Sequence, residues 1–151
     1  MRLLLALLLA ISLAGPAAAQ ALPPAARAVL GDWTVRSDET GEAQAVVRFT
    51  EDGGRVVGRI VRVLPTAEHP QPSPVCGDCS GDYEGVDLRR VDLVRDMRWD
   101  GRRFSGGRIV DVQNDRVYRA TMELDGRDRL RVRGYIAVRA LGRTQVWERV
   151  R

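Results

Sequence analysis

The sequence predicts an all-β fold: a small antiparallel up-and-down barrel of about eight strands, preceded by a short N-terminal helical turn. Three observations predict it. Short segments with period-two alternation of apolar and polar residues recur from Trp33 onward, the pattern of half-buried strands. Tight-turn signals separate them, among them Glu51-Asp52-Gly53-Gly54, Asp100-Gly101 and Asp125-Gly126. No long amphipathic helix interrupts the run. Sequential hairpins give a meander, and closing a meander removes its exposed edges. An open antiparallel sandwich is the competing arrangement.

The elements follow in chain order. Leu22 to Leu30 reads as a helical turn started by Pro23-Pro24. In the short segment Asp32–Arg36, Trp33 and Val35 share a face. Residues 43–50 put Ala43, Ala45, Val47 and Phe49 on one face, and residues 55–64 return after the Gly53-Gly54 turn. A long connection rich in Pro and Gly runs from Pro65 to about Gly85. In the next segment, Val86 to Trp99, the apolar phase slips between Leu88 and Val91, which predicts a bulge at Arg89-Arg90. Residues 104–112, 117–124, 129–138 and 144–150 complete the set.

The pair around Asp125-Gly126 fixes its own register. Tyr118, Ala120, Met122 and Leu124 share one face, and Leu130, Val132, Gly134, Ile136 and Val138 share one face of the next strand. Both faces must point inward, so the loop has an odd number of residues, most simply Gly126-Arg127-Asp128. That register sets Glu123 opposite Arg131 as an ion pair, and Arg119 opposite Tyr135 as a cation–π contact. Arg129, Arg131 and Arg133 then form a solvated outer face.

The N-terminus reads as a secretory signal peptide over residues 1–19. Arg2 precedes an apolar run from Leu3 to Ala14, and Ala17-Ala18-Ala19 fits small-x-small cleavage before Gln20. The run is shorter than the ~20 residues that span a bilayer, and no later segment is apolar enough to cross one. The expected product is a single barrel domain, residues 20–151, in the periplasm or secreted. All 24 basic residues are arginine, which removes lysine Schiff-base chemistry. They are interspersed with 20 acidic residues for a net charge of only +4, without the dense basic patch that nucleic-acid binding needs.

Both cysteines lie in the long connection, in Cys76-Gly77-Asp78-Cys79. A zinc site wants four ligands, and His69 and Asp78 are the residues left to complete one. A redox pair wants a helix N-terminus after the motif, and Ser80-Gly81-Asp82 starts none. An oxidising compartment favours a disulfide between the two, worth roughly 2 kcal/mol for so small a ring. Its main effect is to fix the loop's shape. Hydrolytic chemistry finds little support: His69 is the single histidine, and no Gly-x-Ser-x-Gly elbow occurs. No catalytic residue and no cofactor is assigned.

Gly31-Asp32-Trp33 resembles the Gly-x-Trp opening of lipocalins and other calycins. That resemblance implies that Trp33 plugs one end of the barrel and that an arginine near the chain end, here Arg149, packs on it. A second resemblance covers nearly all of the chain after the leader, to the exported bacterial family called domain of unknown function 2147. Its carrying stretches are Gly31–Trp33, Gly58–Val61, the Cys76–Gly81 loop, Ser105–Asp111, Leu130–Ile136 and Leu141–Val150. The sequence departs from the family pattern at three turn positions, Arg90, Val112 and Asp115. Two functions follow as expectations. The first is an exported binding module for a small apolar ligand at the barrel mouth, with His69 and Tyr83 on the long loop as contacts. The alternative is a structural or interaction protein of the envelope with a filled barrel. Interior packing discriminates them.

Overall fold

A computed structural model of the chain describes residues 21–151. The signal peptide read at residues 1–19 lies outside the described residues. The chain opens with α1 (Pro24–Arg27), then β1 (Gly31–Arg36), β2 (Ala43–Asp52), β3 (Arg55–Val63), β4 (Asp92–Trp99), β5 (Phe104–Asp111), β6 (Arg116–Asp125), β7 (Arg129–Tyr135) and β8 (Arg143–Arg149). Each strand pairs antiparallel with the next, and β8 returns to β1, so the sheet closes into an eight-stranded barrel. The closing seam is short. Among the described residues, Trp33↔Arg149 and Thr34↔Glu148 pair across it, and the Val150 N–H donates to the Asp32 carbonyl at 3.0 Å.

Local chemistry sets the connections. Gly53 and Gly54 both adopt positive φ, 56° and 77°, in the two-residue turn between Asp52 and Arg55. A hairpin turn of this hand matches the twist of the strands and is open to glycine at least cost. The β6–β7 loop has three residues, and Leu124 faces Leu130, as inward alternation requires. Glu123 does stand opposite Arg131, but its carboxylate pairs with Arg102, at 3.9 Å. Arg119 stands opposite Tyr135, while the cation–π contact found among the described residues is made by Arg149 on Trp33.

Two expectations are corrected. Leu88–Arg90 is not a strand bulge but a single 3-10 turn that precedes β4. Asp87 caps it by accepting from the Arg89 backbone N–H at 3.0 Å. The Arg89 guanidinium holds the same carboxylate, whose pKa falls to about 2 under these hydrogen bonds. The phase slip falls later, at Asp96, a non-glycine residue with φ of 56°. The β3–β4 register shifts there, and Val94 and Met97 both end up buried. The strand read to Val138 also stops early, at Tyr135. Ile136 and Val138 are exposed loop residues, because Arg133 donates to the carbonyls of Arg139 and Ala140 and ties the loop back.

Side chains occupy the interior. Phe49 and Trp147 stack with centroids 5.8 Å apart and planes 17° from parallel, and Trp99 and Phe104 meet at 5.1 Å. Met97, Met122, Leu130 and Val94 fill the space around them. Packing is tight enough to dictate glycine. A Cβ on Gly58 would sit 2.6 Å from the Phe49 ring, and one on Gly107 would sit 2.4 Å from the Arg95 carbonyl.

Candidate functional site

The two ends of the barrel are built differently. At one end lie α1, the β2–β3, β4–β5 and β6–β7 turns and the chain terminus. Leu22, Ala26 and Val29 of the N-terminal segment are buried against Trp33, which is itself 0% exposed. The Trp33 indole N–H donates to the Val29 carbonyl at 2.8 Å. The Arg149 guanidinium lies 4.2 Å from the Trp33 ring centroid. It donates to the carbonyls of Arg127 (2.9 Å), Leu30 (3.2 Å) and Ala28. One side chain thus ties together the first strand, the last strand, the segment after α1 and the β6–β7 turn. A planar cation on an indole face is the geometry that cation–π attraction favours.

The opposite end is the mouth, ringed by the connections at residues 37–42, 64–91, 112–115 and 136–142. The long β3–β4 connection covers part of it. Cys76 and Cys79 form a disulfide and are buried with Leu88 and Val91 in the core cluster. The tip of this cover is latched to the β5–β6 turn. The Ser80 hydroxyl donates to the Gln113 carbonyl at 2.7 Å. Gly81 (φ +58°) lies so close beneath Asp115 that a Cβ would fall 2.0 Å from its carboxylate oxygen. Asp115 itself holds φ of 48°, a conformation that aspartate tolerates better than most residues.

Beyond the two paired positions, the β1–β8 seam is continued by side chains. Arg36 donates to Glu148 through Nε and Nη2, at 3.1 and 2.9 Å. Asp38 takes Arg143 at 2.6 Å and the Gln145 amide at 2.8 Å, and Gln145 Oε1 accepts from the Trp147 indole N–H at 3.0 Å. A polar chain therefore runs from the rim to the buried stack. Arg143 and Gln145 share a face with the buried Trp147, opposite Gly134 and Val132. Close to this chain, Ile109, Tyr118 and Gly134 are partly exposed although their strand positions face inward. Small residues widen this part of the barrel: Gly134 is open enough that an added Cβ would meet Ile109 and Tyr118 only at ordinary contact, 3.4 and 3.5 Å.

The model of a family described as "Uncharacterized protein conserved in bacteria (DUF2147)" matches residues 31–149. The chain belongs to the DUF2147 family. No curated protein matches it. Among solved structures, this DUF2147 chain is similar to one described as "Protein HP1028 from the human pathogen Helicobacter pylori belongs to the lipocalin family". The TM-score is 0.64 at 14% identity, covering 81% of this chain and 82% of the other. At that identity the likeness shows a shared lipocalin-like barrel.

The sequence-selected loop residues are not brought together. His69 lies on the exposed arm of the cover, with Nε2 3.6 Å from Asp78 Oδ2. Tyr83 is half-buried against the core, its hydroxyl 3.4 Å from Arg95 Nη2. Among the described residues, no group of three or more His, Cys, Asp or Glu side chains is placed to hold a metal ion. Sequence reading missed Asp38. It sits in a polar turn, Ser37 to Glu42, and its partner Gln145 is 107 positions away. Nothing local marks it.

Proposed function

We propose that this DUF2147 protein is an exported binding module that takes a small molecule with an apolar body at the barrel mouth, above the filled interior. The carrying observation is the contrast along the barrel. Phe49, Met97, Met122, Leu130 and Trp147 are sealed from solvent, whereas inward-facing Ile109, Tyr118, Gly134 and Gln145 keep partial access to it. A concave apolar surface with a few convergent polar groups is the usual form of a small-ligand site. Ile109 and Tyr118 supply the apolar wall, and Gln145, Asp38 and Arg143 supply the polar end. The lipocalin-like fold is compatible with this reading, and the signal-peptide pattern in the sequence of residues 1–19 supports export. Tyr83 and His69 belong to the cover. Their replacement is expected to alter access to the mouth more than direct contact.

The test is a titration of the barrel, residues 20–151, with a neutral apolar fluorophore such as Nile red. Saturable binding is expected, weakened at least tenfold by Gly134→Leu, which fills the mouth. Absence of saturable binding, or binding indifferent to Gly134→Leu, overturns the reading. The filled barrel would then stand as a structural or interaction protein of the envelope, a function that the tight packing at Gly58 and Gly107 favours.

A further inference from the structure

On the β1–β4 side of the outer wall, Arg48 stands directly opposite Arg59, and each holds a carboxylate: Arg48 pairs with Asp32 and Arg59 with Asp92, while Arg55 pairs with Asp96. On the β4–β7 side Arg102 pairs with Glu123, Arg103 with Asp100 and Arg129 with Asp125, but three opposed arginines have no such partner among the described residues. Arg95 stands directly opposite Arg108, and Arg108 directly opposite Arg119. Like charges in this position destabilise a sheet. Among the described residues, none of the three has a carboxylate within ion-pair distance. Together with Val117 and Tyr118 they line an open concavity of about 370 Å³ that Ile136 borders, so Tyr118 faces both this concavity and the mouth. A second concavity, about 570 Å³, is lined by Arg102, Arg131, Arg133 and Arg139 against a single carboxylate, Glu123.

The β7–β8 loop, residues 136–142, lies between the two concavities, with Ile136 in one and Arg139 and Ala140 in the other. It is short and tied down. The Arg133 guanidinium bonds the Arg139 and Ala140 carbonyls and the Thr144 hydroxyl. Yet it exposes its apolar side chains: Ile136 is 72% exposed, Val138 53% and Leu141 85%. Arg95 is held by the Asp92 carbonyl at 2.7 Å and Arg133 by the loop, but neither the Arg108, Arg119, Arg131 and Arg139 side chains nor the exposed loop side chains find a partner among the described residues. Repelling arginines cost energy, and three exposed aliphatic residues on a rigid loop contribute no core. Both are satisfied at once by a surface that offers apolar depth under a layer of negative charge.

We infer that the β7–β8 loop docks the protein on an anionic lipid surface. Ile136, Val138 and Leu141 enter between headgroups, and the flanking arginines take lipid phosphates. Arginine's planar fork suits phosphate oxygens. Juxtaposed basic and apolar groups are the form of reversible interfacial binding. The mouth opens beside this loop, so docking would bring it to the bilayer, but the inference does not depend on a ligand in the mouth.

The test is co-sedimentation of residues 20–151, which contain the whole described barrel, with vesicles of phosphatidylcholine alone or with 30% phosphatidylglycerol. Binding is expected only to the anionic vesicles. Leu141→Asp should weaken it about tenfold and Arg139→Glu about fivefold. Arg62→Glu, an equal charge change at an exposed position of the opposite wall, should weaken it less than twofold. Millimolar glycerol phosphate should not compete, because a free headgroup lacks the apolar contact. Gly134→Leu, which blocks the mouth, should bind vesicles unchanged, and this separates the inference from the ligand reading. Equal binding to both vesicles, no binding to either, indifference to Leu141→Asp, equal losses from Arg62→Glu and Arg139→Glu, competition by glycerol phosphate, or loss through Gly134→Leu would each overturn it.

Discussion

The plugged end and the mouth of this barrel solve the same problem, a sheet that must close, with different materials. At the plugged end, closure uses backbone neighbours. Trp33 and Arg149 pair across the seam, and the guanidinium that stacks on the indole also binds three carbonyls. At the mouth, the seam has no strand pairing. It is carried by Arg36–Glu148 and by Asp38 with Arg143 and Gln145, and the cover is held by a disulfide and the Ser80 latch. The difference teaches which end is free to change. Ties between exposed side chains are individually weak, so the mouth can open without unzipping the sheet. The plug cannot.

The sharpest way to break this contrast is at Trp33. Trp33→Ala removes a fully buried indole and is expected to cost about 3–5 kcal/mol, read as a lowered midpoint in denaturant unfolding. Arg149→Ala should cost less, and Arg149→Lys less again, because lysine keeps the charge and loses the planar stack. A double-mutant cycle on the pair should return a coupling of about 1–2 kcal/mol. A coupling near zero would mean that the plug owes nothing to the contact seen here.

At the mouth the effects should be smaller and local. The double substitution Cys76→Ser with Cys79→Ser is expected to cost about 2 kcal/mol at most. Hydrogen exchange should quicken in residues 65–91 while β1, β2 and β8 stay protected. Uniform loss of protection would show that the cover is part of the barrel's cooperative unit. Smallest of all, Asp38→Ala should cost about 1 kcal/mol and leave the Trp33 indole N–H, bonded to the Val29 carbonyl, as protected in hydrogen exchange as before. A loss as large as that at Trp33 would show that the side-chain seam closes the barrel after all.

The sequence by itself determined the strands and most turns, because these depend on short-range regularities, and it favoured the closed barrel over an open sandwich. Alternation decides which face is inward, and a loop of odd length decides the β6–β7 register. Glycine pairs mark turns whose backbone excludes other residues. Even the plug was visible as a resemblance, since Gly31-Asp32-Trp33 and Arg149 lie in characteristic stretches near the two ends. Where local pattern was ambiguous, the reading slipped. The apolar phase change before β4 was assigned to Arg89-Arg90, but a capped 3-10 turn absorbs those residues, and Asp96 makes the slip through a positive φ. Likewise, alternation continued past Tyr135 into Ile136 and Val138, with no local sign that Arg133 would fold the loop away from the interior. What only the tertiary structure decided is the mouth. Asp38 and Gln145, and Ser80 and Gln113, are far apart in the chain. Their partners are chosen by the curvature of the closed sheet, and a pattern read along one strand contains no information about which strand will face it.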